Sequence, residues 1–254
     1  MLAARAGARV LIEAGLPRPG GPRELKGRAD YVTDTDRASE EAILAVLARE
    51  TPSIPVLAEE GGGTRAHLMW AVDPLDGTTN FTRGFPVVGV SVGLLQDRTA
   101  KLGAVLGPYL GLEFAGGPGL GLTRNGEPLP QLTRREPADA VVATGFPFRN
   151  PERRPRYGRL LTAALDGFED LRRPGAAALD LAWVASGSFD GFFELGLGTW
   201  DVTGGAALVA AAGGEVCDWD GGDGWPTSGD ILAGAPGVLE ALLAMAKTSA
   251  QGVD

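Results

Sequence analysis

In Trp70-Ala-Val-Asp73-Pro74-Leu75-Asp76-Gly77-Thr78-Thr79-Asn80-Phe81 an apolar extended segment runs into a carboxylate and a proline. Pro74 fixes φ and lacks a backbone N–H, so the chain is expected to turn here and leave its ladder. Asp76 then returns near Asp73. Two carboxylates in one turn, with the carbonyl of Leu75 between them, suit a hard cation such as Mg²⁺. Gly77 lets a ligand approach, and a short helix starting there aims the amides of Gly77, Thr78 and Thr79 outward. Metal and amides together suit a phosphate. Taken alone, Asp-Pro-x-Asp-Gly-Thr is more often a well-capped turn, so the remainder of the chain has to decide.

Two further acidic element ends share this grammar. Glu59-Glu60 closes an extended segment at Ile54–Ala58, and Trp200-Asp201 opens an Ala/Gly-rich helix expected over Asp201–Ala212. Singly they read as a solvated pair and an N-cap. Three such ends need a joint explanation. A helix is expected from Thr35 to about Glu50, capped by Thr33 or Asp34 and stopped by Thr51-Pro52. Another extended segment covers Leu68–Val72. Val88–Leu95 alternates Val88, Val90, Val92 and Leu94 with Gly89, Ser91 and Gly93, a strand whose nearly bare face lets another backbone lie close. Segments at Lys101–Pro108 and Leu112–Ala115, with a turn at Asn125-Gly126, continue an antiparallel meander. Past a boundary near Thr144–Asn150, helices at Arg154–Leu165, Gly175–Ser186 and Val238–Lys247 alternate with strands at Phe168–Leu171, Phe189–Glu194 and Gly214–Asp218.

The 254 residues accommodate one or two domains, expected here as residues 1–145 carrying most of the acidic positions and 146–254 completing the site. With 23 Lys+Arg against 32 Asp+Glu, the net charge of −9 disfavours a protein that must neutralise many nucleic-acid phosphates. A content of 44% hydrophobic and 22% charged residues excludes a disordered chain. The single cysteine, Cys217, excludes an intrachain disulfide and a multi-thiolate centre, and fits a reducing cytoplasm. Met1–Gly15 reads as an amphipathic helix, interrupted by Arg5, Arg9 and Glu13, without the apolar core of a signal peptide. No stretch approaches the roughly 18 uninterrupted apolar residues that span a bilayer. His67, the only histidine, reads as an exposed turn residue, so no phosphohistidine or phosphocysteine nucleophile is at hand.

These segments together resemble the inositol monophosphatase family, within the metal-dependent, lithium-sensitive phosphomonoesterases that include the fructose-1,6-bisphosphatases. The run from Trp70 to Phe81 is similar to that family's first signature and Trp200-Asp-Val-Thr-Gly-Gly205 to its second. Val32-Thr-Asp-Thr-Asp36, Ala58-Glu-Glu60 and Phe193-Glu-Leu-Gly-Leu-Gly-Thr-Trp-Asp201 match in order and spacing, from about Lys26 to Gly237. Gly145-Phe-Pro-Phe-Arg149 and the run from Arg172 to Leu181 resemble the bacterial branch. The resemblance implies an α/β (α+β) fold, a layered αβαβα sandwich of the sugar-phosphatase type with an antiparallel first sheet and a mixed second sheet. It implies Glu59, Asp73, the carbonyl of Leu75, Asp76 and Asp201 as ligands of two or three Mg²⁺ ions, with Asp73 bridging. Thr78 and Asp36, with Glu59 assisting, would orient and deprotonate the attacking water. Gly77 and Thr78 would bind phosphate, and Glu194, the backbone around Ala177 and Asp201 would contact the substrate alcohol, with Lys26 approaching the site. Homodimers, a small phosphate-ester substrate, and neither membrane nor nucleic-acid partners are expected.

Three positions depart from the family: Ala58, Ala176 and Thr203. Thr203 adds a methyl and a hydroxyl near Asp201, and a changed pocket or metal affinity is expected from it. Arg149, Arg153, Arg154, Arg156 and Arg159 are either a solvated helix face or a second phosphate site. Inositol monophosphate is the leading substrate, with fructose 1,6-bisphosphate, NADP or sugar phosphates as alternatives. A regulatory binding module for the transcription machinery, using the same arginine run, is the alternative of another class, and a metal-binding protein without turnover is a third.

Overall fold

The computed structural model describes residues 1–18, 24–27 and 30–250, the backbone alone over 24–27 and 30–32. Helix α1 (Leu2–Ala14) is followed by strands β1 (Glu24–Gly27) and β2 (Asp30–Val32), helix α2 (Asp34–Glu50) and strands β3 (Val56–Ala58), β4 (Gly62–Gly63) and β5 (Leu68–Asp76). A short helix α3 (Thr78–Thr82) leads into β6 (Gly89–Gln96), β7 (Thr99–Gly107), β8 (Leu112–Gly117), β9 (Gly121–Arg124) and β10 (Glu127–Pro128). Then come β11 (Val141–Thr144), α4 (Arg154–Gly167), β12 (Asp170–Arg172), α5 (Ala177–Ala185), β13 (Gly191–Glu194) and α6 (Thr199–Ala211). The described chain closes with β14 (Glu215–Cys217), α7 (Trp225–Ser228), β15 (Ile231–Gly234) and α8 (Val238–Ala250). No helix among the described residues is long and apolar enough to cross a membrane.

Apolar faces at helical spacing decide the layers. Ala4, Ala8 and Leu11 of α1 and Ile43 and Leu47 of α2 bury against Val72, Val90 and Val92, one face of the first sheet. Helices α5 and α6 cover its other face and also touch the second sheet, so they form a shared middle layer. Leu160 and Ala164 of α4 and Leu242 and Ala246 of α8 cover the outer face of the second sheet. The order is αβαβα.

The first sheet runs β10-β9-β8-β7-β6-β5-β3-β4 and the second β12-β11-β13-β15-β14. The first is antiparallel except that β3 pairs parallel with β5, which corrects the expectation of a wholly antiparallel sheet. The second is mixed, with β11 parallel to β12 and β13, and β15 antiparallel to β13 and β14. β11 belongs to this second sheet although it precedes residue 145. Asn125 and Gly126, at φ 52 and 85, form the expected two-residue turn between β9 and β10.

The bare face of β6 is where α6 lies. A Cβ built on Gly93 would fall 2.6 Å from the Gly204 nitrogen, and one on Gly103 2.1 Å from the Gly204 carbonyl oxygen, so helix and sheet touch backbone to backbone.

Candidate active site

The chain does not leave its ladder at Pro74. β5 continues to Asp76, and the departure expected there is instead a bulge: Asp73 pairs with Ser91 and Asp76 with Gly89, so the partner strand is one residue shorter across this interval. In a regular strand, residues three apart point to opposite faces, and the extra residue returns Asp76 to the face that carries Asp73. Pro74, which has no N–H to lose from the ladder, sits in the bulge. Its carbonyl accepts the Ser39 hydroxyl at 2.8 Å, which ties the bulge to α2. Asp201 reaches the same place from the first turn of α6, where it accepts the Gly198 amide at 2.6 Å.

Carboxylate oxygens of Asp73, Asp76 and Asp201 all lie within 4.8 Å of one another. Burial, followed by the charges of Glu59, Asp76 and Asp201, holds the Asp73 carboxyl well above its ordinary range. Asp76 is pushed up to about 7 by burial and then by Asp201, against amides at the start of α5. The Ala178 amide donates to it at 2.7 Å. An all-oxygen cluster whose members repel one another is the donor set of a hard divalent cation, and these residues fit Mg²⁺.

The acids open into a cleft of about 450 Å³ lined by Glu59, Asp73, Leu75, Asp76, Gly77, Thr78, Ala177, Glu194 and Asp201 among others. Thr78 begins α3 after Gly77, whose φ of 88 favours glycine. The first amides of such a helix have no acceptor within it. The Thr78 hydroxyl lies 3.3 Å from Asp36 Oδ1 and 3.2 Å from the Leu75 carbonyl oxygen. Asp36 sits in a capping box on α2, where its carboxylate accepts the Thr33 amide at 2.9 Å and the Thr33 hydroxyl. Burial raises Asp36 to about 6 in spite of those bonds. Glu194 ends β13 at the cleft, raised to about 8 by burial and by Asp201, with Arg173 opposing. Lys26 falls in β1, and its side chain lies outside the described residues.

The sequence pattern described as the Inositol monophosphatase family matches residues 2–251. This chain belongs to the inositol monophosphatase family. A Nus factor SuhB of Pasteurella multocida (strain Pm70) is 37% identical over 244 residues, 95% of this chain and 91% of that protein. The extragenic suppressor protein suhB of Bartonella henselae superposes with a TM-score of 0.89 at 33% identity, over 99% of this chain and 96% of that one. An inositol monophosphatase from Anabaena (Nostoc) sp. PCC 7120 gives 0.82 at 32% identity, over 97% and 92%.

Thr203 does not act on the pocket as its departure from the inositol monophosphatase family led us to expect. Its hydroxyl donates to the Thr199 carbonyl at 2.7 Å and its methyl packs where β6 is bare, on the side away from the cleft lining. The arginine run also divides. Only Arg149 of the five lines the cleft. Arg153 pairs with Asp230, and Arg156 pairs with Asp220 at 2.8 Å and stacks 5.4 Å over Trp219. Arg159 donates to the Ser249 carbonyl at 2.7 Å and Arg154 to that of Phe148 at 3.2 Å. Four of these arginines therefore tie α4 to its neighbours. His67 is exposed, as expected, and pairs with Asp97 at 2.5 Å. Arg173, Phe146 and Phe148 line the cleft without having been assigned a role from sequence, because an Arg pair and a Phe-Pro-Phe loop carry no spacing signal of their own.

Proposed function

We propose that this chain is a Mg²⁺-dependent phosphomonoesterase that hydrolyses inositol monophosphate to inositol and phosphate. The observation that carries it is the three-aspartate oxygen cluster opening into a cleft beside the Thr78–Asp36 pair. Asp73, Asp76 and Asp201 would hold the cation, with Glu59 and the Leu75 carbonyl beside them. Bound Mg²⁺ supplies positive charge against the phosphate dianion and acidifies water for in-line attack. The chain's own residues do the rest. The amides of Gly77 and Thr78 receive phosphoryl oxygens. Thr78 Oγ1 takes the water's proton as its own passes to Asp36 Oδ1, the new P–O bond forms, and the ester P–O bond breaks opposite it, the departing alkoxide taking a proton from solvent water. Glu194 and the backbone at Ala177 receive hydroxyls of the departing alcohol. Cys217 is half-buried, its thiol pushed up to about 11 by burial, which keeps it protonated and out of the chemistry.

Phosphate release from inositol 1-phosphate, fructose 1,6-bisphosphate and NADP, with Mg²⁺ and with EDTA, tests this. Preference for inositol 1-phosphate, lost on chelation, is expected, and absence of release from all three overturns the reading. A second reading is association with the transcription machinery, favoured by the Nus factor name of the Pasteurella relative. Co-purification with RNA polymerase that persists in Asp73→Asn separates that role from catalysis.

A further inference from the structure

Arg173 stands alone among the cleft's neighbours. It follows β12 and precedes α5, lines the cleft, and makes no hydrogen bond or ion pair with any described residue. Arg172 beside it pairs with Asp170 at 2.5 Å. The Arg173 guanidinium carbon lies 5.4 Å from the Phe146 ring centre and 5.6 Å from that of Phe148, and these rings meet edge to face at 5.8 Å. Two aromatic faces hold the plane of the guanidinium while its edge N–H donors stay open.

The same cleft holds a carboxylate, that of Glu194. A Cβ on Gly145 would fall 2.1 Å from the Glu194 carboxylate, so that head group rests directly on Gly145, one residue before Phe146. On the other side, Arg173 Nη1 lies 2.5 Å from where a Gly175 Cβ would be, two residues before Ala177. Glu194, Gly145, Phe146, Arg173 and Gly175 thus form one continuous wall of the cleft.

We infer that Arg173 is a specificity-determining residue that donates to one hydroxyl of a polyol monophosphate while Glu194 engages the neighbouring hydroxyl. A donor fork held by two rings and a carboxylate in the same cleft fit a vicinal diol, and a second phosphate placed there would meet Glu194. The inference rests on the phosphatase reading above and deepens it.

The test compares inositol 1-phosphate with p-nitrophenyl phosphate, which has no diol, and with fructose 1,6-bisphosphate, in the wild type, Arg173→Met and Arg173→Lys, all with Mg²⁺. Arg173→Met is expected to lower kcat/KM for inositol 1-phosphate at least tenfold, mostly through KM, and to leave p-nitrophenyl phosphate within twofold. Arg173→Lys should recover part of the loss. Equal falls for both monoesters, no fall for either, or a loss confined to the bisphosphate overturns the inference and leaves the phosphatase reading standing. A wild type inert toward all three overturns that reading and the inference with it.

Discussion

Asp73 is the residue on which the site converges, since Glu59, Asp76 and Asp201 all act on its carboxyl. Asp73→Asn removes one of the proposed ligands and one acid group without changing size. Phosphate release should fall by at least about a hundredfold, comparable to removing one preorganised stabilising group, and the thermal midpoint in EDTA should not decrease. Near-normal release would refute the ligand assignment. Thr78→Ala should lower kcat by about 10² or more with little change in KM, because the proton-carrying role proposed for its hydroxyl acts only in the chemical step. These residues were legible from sequence by type: carboxylates after strands and a hydroxyl after Gly77. Arg173 was not, since nothing in Arg172-Arg173-Pro174 tells the ion-paired arginine from the open one.

At the scale of elements, the bulge in β5 and the contact between α6 and β6 set the geometry. The sequence indicated both carboxylates but placed a turn at Pro74, where the structure has a bulge, because a proline says that a ladder bond is missing and not how the strand compensates. The bare face of β6 was plain from its period of two, whereas β15 was not anticipated: four small and apolar residues carry no period that separates strand from helix. Gly103→Ala would set a methyl 2.1 Å from the Gly204 carbonyl oxygen, so helix and sheet must part, at a cost of about 3 kcal/mol. Denaturant unfolding should show that loss with an unchanged m-value.

For the whole molecule, Asp36, Asp76 and Glu194 are raised by burial to about 6, 7 and 8. An acid raised in the folded state keeps a proton that the unfolded chain, at about 4, has released, so stability falls as pH rises from about 4 to about 8. Metal-free protein should accordingly melt higher at pH 5 than at pH 8, with several degrees lost across that interval. Mg²⁺ at about a hundred times its Kd should restore about 2.7 kcal/mol at pH 8, and little at pH 5, where protons compete for the same oxygens. A Tm that rises from pH 5 to 8 in EDTA would contradict the burial of these acids. The layering itself was implied by resemblance and not by periodicity, because which face each helix covers depends on contacts far apart in sequence.

The shared middle layer has a consequence for synthesis. The first sheet is complete at Pro128, but α6, which covers its bare face, ends at Ala211, about 83 residues later. At about 5 to 20 residues per second, the ribosome takes roughly 4 to 17 s to deliver that cover. During that interval the nascent sheet presents an uncovered slab of backbone and small side chains, a surface that chaperones must shield or a neighbouring nascent chain will meet.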